Sequence, residues 1–161
     1  MNILITLGSQ KFQFNRLLEA IDEQIEQKKI QDDLFAQIGY SDYKPQKYLY
    51  CEFLNHDEFV EQMERADIVI THGGTGAIIS AVKKEKKVIA VPRLSKYGEH
   101  VDDHQIQIVE QFKELGLIEE CIECSMLWSV IQDIKEMSFK KYESNTARII
   151  NDIEEYINSQ S

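Results

Sequence analysis

The sequence predicts an α/β fold, a parallel sheet covered by helices on both faces. Two features of the 161 residues carry that prediction. Short apolar runs of strand length alternate with longer segments whose apolar residues recur at helical spacing. Most runs also stop at Gly, Pro or a polar cluster, the punctuation expected between strands and helices. Strands alternating with helices over this length imply βαβ units, and therefore a parallel sheet, in a single domain spanning residues 1–161.

Residues 2–7 (NILITL) form a short apolar run stopped by Gly8, the first strand. Phe14, Leu17, Leu18, Ile21 and Ile25 then share one face of an amphipathic helix that runs to about Lys29. Residues 34–39 (LFAQIG) and the aromatic-rich 48–53 (YLYCEF) read as the second and third strands. Asn55 and Glu58 have capping-box spacing and open a helix ending near Arg65. Residues 67–71 (DIVIT) are a strand, residues 75–84 a helix, and residues 88–91 a strand stopped by Pro92. After a loop over 93–101, Asp102 caps a helix carrying Ile106, Val109, Phe112 and Leu115, closed by Gly116. Leu117-Ile118 is the expected last strand. Ser125 caps a helix with Leu127, Ile131 and Ile134, and a final helix holds Ile149, Ile150, Ile153 and Ile157.

Composition narrows the function. Apolar residues at 43% and charged residues at 29% are those of a soluble globular domain. A formal net charge of −10 argues against a nucleic-acid binder, which needs a basic footprint. An anionic small ligand stays compatible, because one helix terminus can bind phosphate on an acidic protein. The opening MNILITLG carries no basic leader, and no apolar stretch approaches the roughly 20 residues of a membrane span, so a cytoplasmic protein is expected. The three cysteines, Cys51, Cys121 and Cys124, read as reduced thiols. Cys121 and Cys124 have C-x-x-C spacing, but no second ligand pair follows, so neither a metal nor a redox centre is expected.

In a parallel sheet, ligands sit beyond the carboxyl ends of the strands. Three segments lie there. Gly8, Ser9 and Gln10 follow the first strand, where a sharp turn, a hydroxyl and free backbone N–H groups can meet a phosphate oxygen; a plain turn is the alternative. His72, Gly73, Gly74, Thr75 and Gly76 join a strongly apolar strand to a helix. Clustered glycines there imply close backbone approach, either to a phosphate or simply to a tightly packed helix. The turn lacks the Lys of a Walker motif and is not a G-x-G-x-x-G. The third segment is the polar run Glu99, His100, Asp102, Asp103, His104 and Gln105. Its carboxylates and amide can bind sugar hydroxyls and its imidazoles can bind phosphate or move protons. Asp102 and Gln105, however, also have capping-box spacing.

The ordered set of GSQ after the first strand, THGGTG, VPR and then DDHQ resembles the C-terminal domain of glycosyltransferase family 28, over residues 2–118. The resemblance implies a Rossmann-like sheet, the MurG-like C-terminal half of a GT-B glycosyltransferase. TLGSQKFQFNRLL and PRLSKYGEHVDDHQ are most similar to the single-domain subunits of split bacterial exopolysaccharide and capsule enzymes, several of them β-1,4-galactosyltransferases. It implies a donor-binding subunit that takes a UDP-sugar, needs no cofactor and transfers a hexose to a polyprenyl-diphosphate-linked sugar. The acceptor would be held by a membrane-anchored partner, which places this chain peripherally at the inner face of the plasma membrane. N-acetylglucosaminyl or glucuronosyl transfer, or a non-catalytic nucleotide-binding regulatory subunit, are the alternatives.

Residue roles follow from that resemblance. Gly8 and Ser9 match the first phosphate loop, and His72, Gly73, Gly74 and Thr75 the turn at the diphosphate. Gln105, with Asp103 and His104, matches the positions that meet the donor sugar. Relatives often place a Glu for the ribose where this chain has Ser80. A Ser can bond one hydroxyl but cannot grip a diol, so Glu99 or a partner residue is the expected replacement. His72 and His100 are the candidate bases, with a base from the partner as the alternative. Phe12, Phe14 and residues 48–50 are candidate partner contacts, or else core.

Overall fold

A computed structural model describes residues 1–159, apart from the side chains of residues 144 and 147. Six strands form one parallel sheet. They are β1 (Asn2–Thr6), β2 (Asp33–Gln37), β3 (Leu49–Cys51), β4 (Ile68–His72), β5 (Lys87–Val91) and β6 (Glu119–Glu120). Their order is β3-β2-β1-β4-β5-β6. The chain builds outward from β1 in one direction, then returns to place β4 on its other side. That reversal opens a crevice at the carboxyl ends of β1 and β4. Register is tight there, with Thr6 opposite Thr71 and His72 opposite Val91.

The helices are α1 (Asn15–Glu26), α2 (His56–Arg65), α3 (Thr75–Lys83), α4 (His104–Glu114), α5 (Leu127–Lys135) and α6 (Ser144–Ser159). They form two layers because alternate strand residues point to opposite faces. Ile3 and Ile5 face a core shared with Leu17, Leu18 and Ile21 of α1 and Ile131 and Ile134 of α5. Leu4, Val69 and Val88 face a second core with Met63 of α2, Ile78 of α3, Phe112 of α4 and Ile150 of α6. The two sides confirm the parallel, doubly covered sheet that strand–helix alternation implied.

Three expected ends move. Leu117 and Ile118 are buried but precede the last strand. The Leu117 N–H is used closing α4, bonding Phe112 O at 3.2 Å beyond Gly116 in the left-handed conformation, so pairing with Ile89 and Ala90 starts only at Glu119. Ser125 does not cap α5: residues 124–126 form a 3-10 turn, and the Trp128 N–H instead donates to Gln24 Oε1 of α1 at 2.8 Å. The Asp102–Gln105 capping box does not form either. Asp102 Oδ1 accepts from the His104 N–H at 3.0 Å, while the Gln105 side chain is drawn toward the sheet. The Asn55 cap is as expected, its Oδ1 accepting from the Glu58 N–H at 2.8 Å.

Candidate functional site

The loops after β1, β4 and β5 converge over the crevice. Gly8 has φ of 73°, a left-handed conformation, and a Cβ there would lie 2.9 Å from His72 Nε2. Gly74 has no such φ, but a Cβ on it would overlap the His72 imidazole. His72 is therefore walled between the first loop and the turn that starts α3. Its Nδ1 accepts from the Gly74 N–H at 3.1 Å, so the ring proton sits on Nε2, on the side of Gly8. Burial, then the Arg93 charge and His100, push the imidazole down to about 3. A neutral ring whose free nitrogen carries the proton is a hydrogen-bond donor. In this arrangement His72 presents a donor, where the sequence offered it as a candidate base.

The start of α3 is open. Gly74 is its N-cap with no side-chain cap, so the first backbone N–H groups of the helix have no partner from within it. Beyond Gly76 there is open space. Ser80 lies one turn further on the same helix face, and both residues are exposed. Ser9 and Gln10 are exposed on the first loop. Thr75 is half-buried and faces α4 and α6.

Gln105 ties two loops together. Its Oε1 accepts from the Gly73 N–H at 3.0 Å and the Arg93 N–H at 2.9 Å, and its Nε2 lies 3.4 Å from His72 Nδ1. The residue is 4% exposed. Its oxygen is thus committed to the protein. Glu99, expected at the ribose, is fully buried: its carboxylate takes Arg16 in a two-pronged ion pair at 3.0 Å and the Leu94 N–H at 3.0 Å. Those bonds fold the loop after β5 back on itself and withdraw Glu99 from any ligand. Asp103 is exposed, yet its Oδ1 accepts from Ser95 N and Oγ at 2.8 and 3.0 Å, which holds its carboxyl below the usual range. His100 and His104 flank Asp102, their Nδ1 atoms 3.3 and 3.6 Å from its two oxygens, and His100 stacks on Phe12 with centroids 5.1 Å apart. No hydrogen-bond partner meets His100 Nδ1 among the described residues.

Arg93, the last residue of the VPR segment, is 1% exposed and lies under the first loop. A Pro-Arg pair directly after an apolar strand at the binding edge was the available signal. Phe14 is fully buried, Phe12 half-buried, and of residues 48–50 only Leu49 and Tyr50 are exposed. A hollow of about 670 Å³ opens elsewhere, at the amino ends of β1 and β2, lined by Asn2, Asp32, Asp33 and Arg65. It is remote from the glycines and imidazole, and strand amino ends are not where such sheets bind ligands. Cys121 and Cys124 are buried, and burial raises their thiols to about 12 and about 11. Thiols so disfavoured as thiolates are core residues. No helix among the described residues is long and apolar enough to cross a membrane.

The sequence model of the glycosyltransferase family 28 C-terminal domain matches residues 2–159. The UDP-N-acetylglucosamine transferase subunit ALG13 of Candida glabrata is 32% identical over 90 residues, 55% of this chain and 42% of that protein. Its counterpart from Saccharomyces cerevisiae is 38% identical over 56 residues, 35% of this chain and 26% of that protein. The aligned region thus spans less than half of either relative. Among solved structures, ALG13 in solution superposes with a TM-score of 0.64 at 18% identity, covering 98% of this chain and 96% of that one. MurG of Acinetobacter baumannii superposes at 0.59 and 14% identity, covering 96% of this chain and 50% of that one. These structures share the fold.

Proposed function

Because the chain belongs to the glycosyltransferase family 28 C-terminal domain family, we propose that it is the donor-binding subunit of a UDP-sugar-dependent glycosyltransferase. One observation carries this reading. The left-handed Gly8 loop, the His72 Nε2–H and the uncapped start of α3 meet where β1 and β4 diverge. Together they form a neutral-donor cradle for a diphosphate. In the reaction proposed, an acceptor hydroxyl attacks the anomeric carbon, its proton passes to a base, and the bond to UDP breaks with its electrons left on the β-phosphate oxygen. His72 and the α3 amides stabilise that oxygen. Gln105 supports the sugar side by holding the turn, Ser80 is placed for one ribose hydroxyl, and the base comes from the partner or from His100.

The partner we propose is a membrane-anchored subunit presenting a lipid-linked sugar. The word subunit in the relatives' names, and the half of MurG that this chain leaves uncovered, support a second half elsewhere. The resemblance to exopolysaccharide and capsule enzymes favours galactose as donor sugar; the names of the yeast relatives favour N-acetylglucosamine. A donor screen decides. UDP, UDP-galactose and UDP-N-acetylglucosamine are each tested for raising the melting temperature, then for transfer to a polyprenyl-diphosphate-linked sugar with the partner co-expressed. UDP is expected to raise the melting temperature, and Gly74→Val to abolish the rise because the side chain displaces His72. A folded wild type unmoved by UDP and by every UDP-sugar would overturn the reading.

A further inference from the structure

Beneath the loop that follows β1 lies a guanidinium without a carboxylate of its own. Arg93 Nη2 donates to Leu7 O at 2.7 Å, and Nη1 donates to Phe12 O at 3.2 Å and Gln13 O at 3.0 Å. One planar group therefore holds both ends of the loop that carries Gly8, Ser9 and Gln10, while its face lies 5.0 Å from the Phe14 ring centre. Nη1 also reaches Glu99 O at 3.5 Å, and all four acceptors are neutral carbonyls. The carboxylate on this side, Glu99, is already engaged by Arg16 through both oxygens, at 3.0 Å each. Two guanidiniums thus share one carboxylate, leaving one positive charge in excess inside a chain whose formal net charge is −10. Arg93 Nε has no hydrogen-bond partner among the described residues.

A buried charge lacking a counter-charge is costly, and its solvation by carbonyl oxygens is partial. Lysine, a point donor, could not span both ends of the loop; the fork of an arginine can. The excess charge sits directly under the loop that faces the proposed diphosphate. We infer that Arg93 is the positioning residue of the phosphate site, tethering the first loop from below and supplying, through that loop, the positive charge that a bound diphosphate neutralises. This rests on the UDP-sugar reading for the identity of the ligand, but its chemistry requires only two linked phosphates. It also places Arg93 upstream of His72. The same charge helps keep that imidazole neutral, so that Nε2 stays a donor toward the phosphates.

The test titrates UDP, pyrophosphate and uridine into wild type, Arg93→Met and Arg93→Lys by calorimetry at low salt. Arg93→Met is expected to weaken UDP and pyrophosphate by roughly tenfold to thirtyfold, the effect of one charge over several ångströms at an effective dielectric of about 20. Uridine binding stays within about twofold, and Arg93→Lys recovers part of the loss. A purely structural arginine would weaken uridine as much as UDP and would not distinguish Lys from Met. A folded Arg93→Met that binds UDP and pyrophosphate like wild type overturns the inference and leaves the donor reading standing. If wild type binds pyrophosphate but neither UDP nor a UDP-sugar, the donor reading fails, and the pyrophosphate arm alone decides Arg93. Binding of neither UDP nor pyrophosphate to wild type overturns both. Should Arg93→Met not fold, the Nε–Hε NMR signal of Arg93 in wild type, assigned by its absence from Arg93→Lys, is followed instead. It is expected to shift with pyrophosphate and not with uridine, and an unmoved signal overturns the inference.

Discussion

His72 shows how one side chain's surroundings set its chemistry. It lies at the end of β4, 7% exposed, between a loop that cannot carry a side chain at Gly8 and a turn that cannot carry one at Gly74. Burial lowers its protonation from the ordinary 6.5 to about 3, so the folded protein holds it neutral while the unfolded chain does not. Between those values the unfolded state binds the extra proton, and stability rises with pH. The contribution is complete above about 6.5 and is lost as pH falls toward 3. Urea unfolding is therefore expected to show wild type losing about 1.5–2 kcal/mol more than His72→Gln between pH 6.5 and pH 5. Equal losses in the two proteins would mean that the imidazole is not held neutral. A base with this proton affinity would be almost inert at neutral pH, so on the proposed reading the acceptor's proton goes elsewhere.

At the scale of elements, Gln105 joins three of them. It sits in the first turn of α4 and accepts from backbone N–H groups at the ends of β4 and β5. Gln105→Leu leaves both N–H groups buried and unbonded, and is expected to cost about 2–4 kcal/mol in chemical denaturation. Ser80→Ala on the exposed face of α3 should change stability by less than about 0.5 kcal/mol. Equal effects at the two positions would refute the clasp. The same element shows what the sequence could reveal. Alternation of apolar runs and helical faces disclosed the order and type of β1 through β5 and all six helices, since burying one face is a local periodic demand. Glycines and hydroxyls after those strands marked the edge where the loops after β1 and β4 meet. The side-chain assignments within it were less legible. Gln105 at capping-box spacing looked like a local partner for α4, but two N–H groups from distant strand ends took its oxygen. Glu99 stood in a polar run as a candidate for the ribose, but Arg16, 83 residues away, drew it inside. Both outcomes depend on long-range pairing, which no local spacing encodes. The last strand slipped for the opposite reason: the α4 terminus took the Leu117 N–H first.

Across the whole molecule, one buried guanidinium and a set of N–H donors gather at one edge of an acidic protein. Arg93, the His72 Nε2–H and the uncapped start of α3 all sit around the crevice between β1 and β4, so on the proposed reading this chain's part is stabilisation of a departing diphosphate. It offers less to the opposite side of the reaction. His72 is a donor, Glu99 is buried, Asp103 is bonded to Ser95, and His100 packs on Phe12 beside Asp102. At the other flank of the sheet Tyr40 and Phe53 touch edge to face at 5.2 Å, and Leu49 of edge strand β3 is 74% exposed. On the proposed reading, a domain that binds the leaving group and leaves the acceptor to a partner should separate binding from turnover. The isolated chain is expected to bind UDP with the affinity of the reconstituted enzyme to within about tenfold. It should transfer no sugar in a single-turnover assay until the partner subunit is added, since a positioned general base contributes on the order of 10²–10⁴-fold and the acceptor must also be held at reacting distance. His100→Gln within the reconstituted enzyme then assigns the proton. An unchanged rate places the base on the partner, whereas a fall of that size places it on this chain. Transfer by the isolated chain at the reconstituted rate would contradict the division of labour altogether.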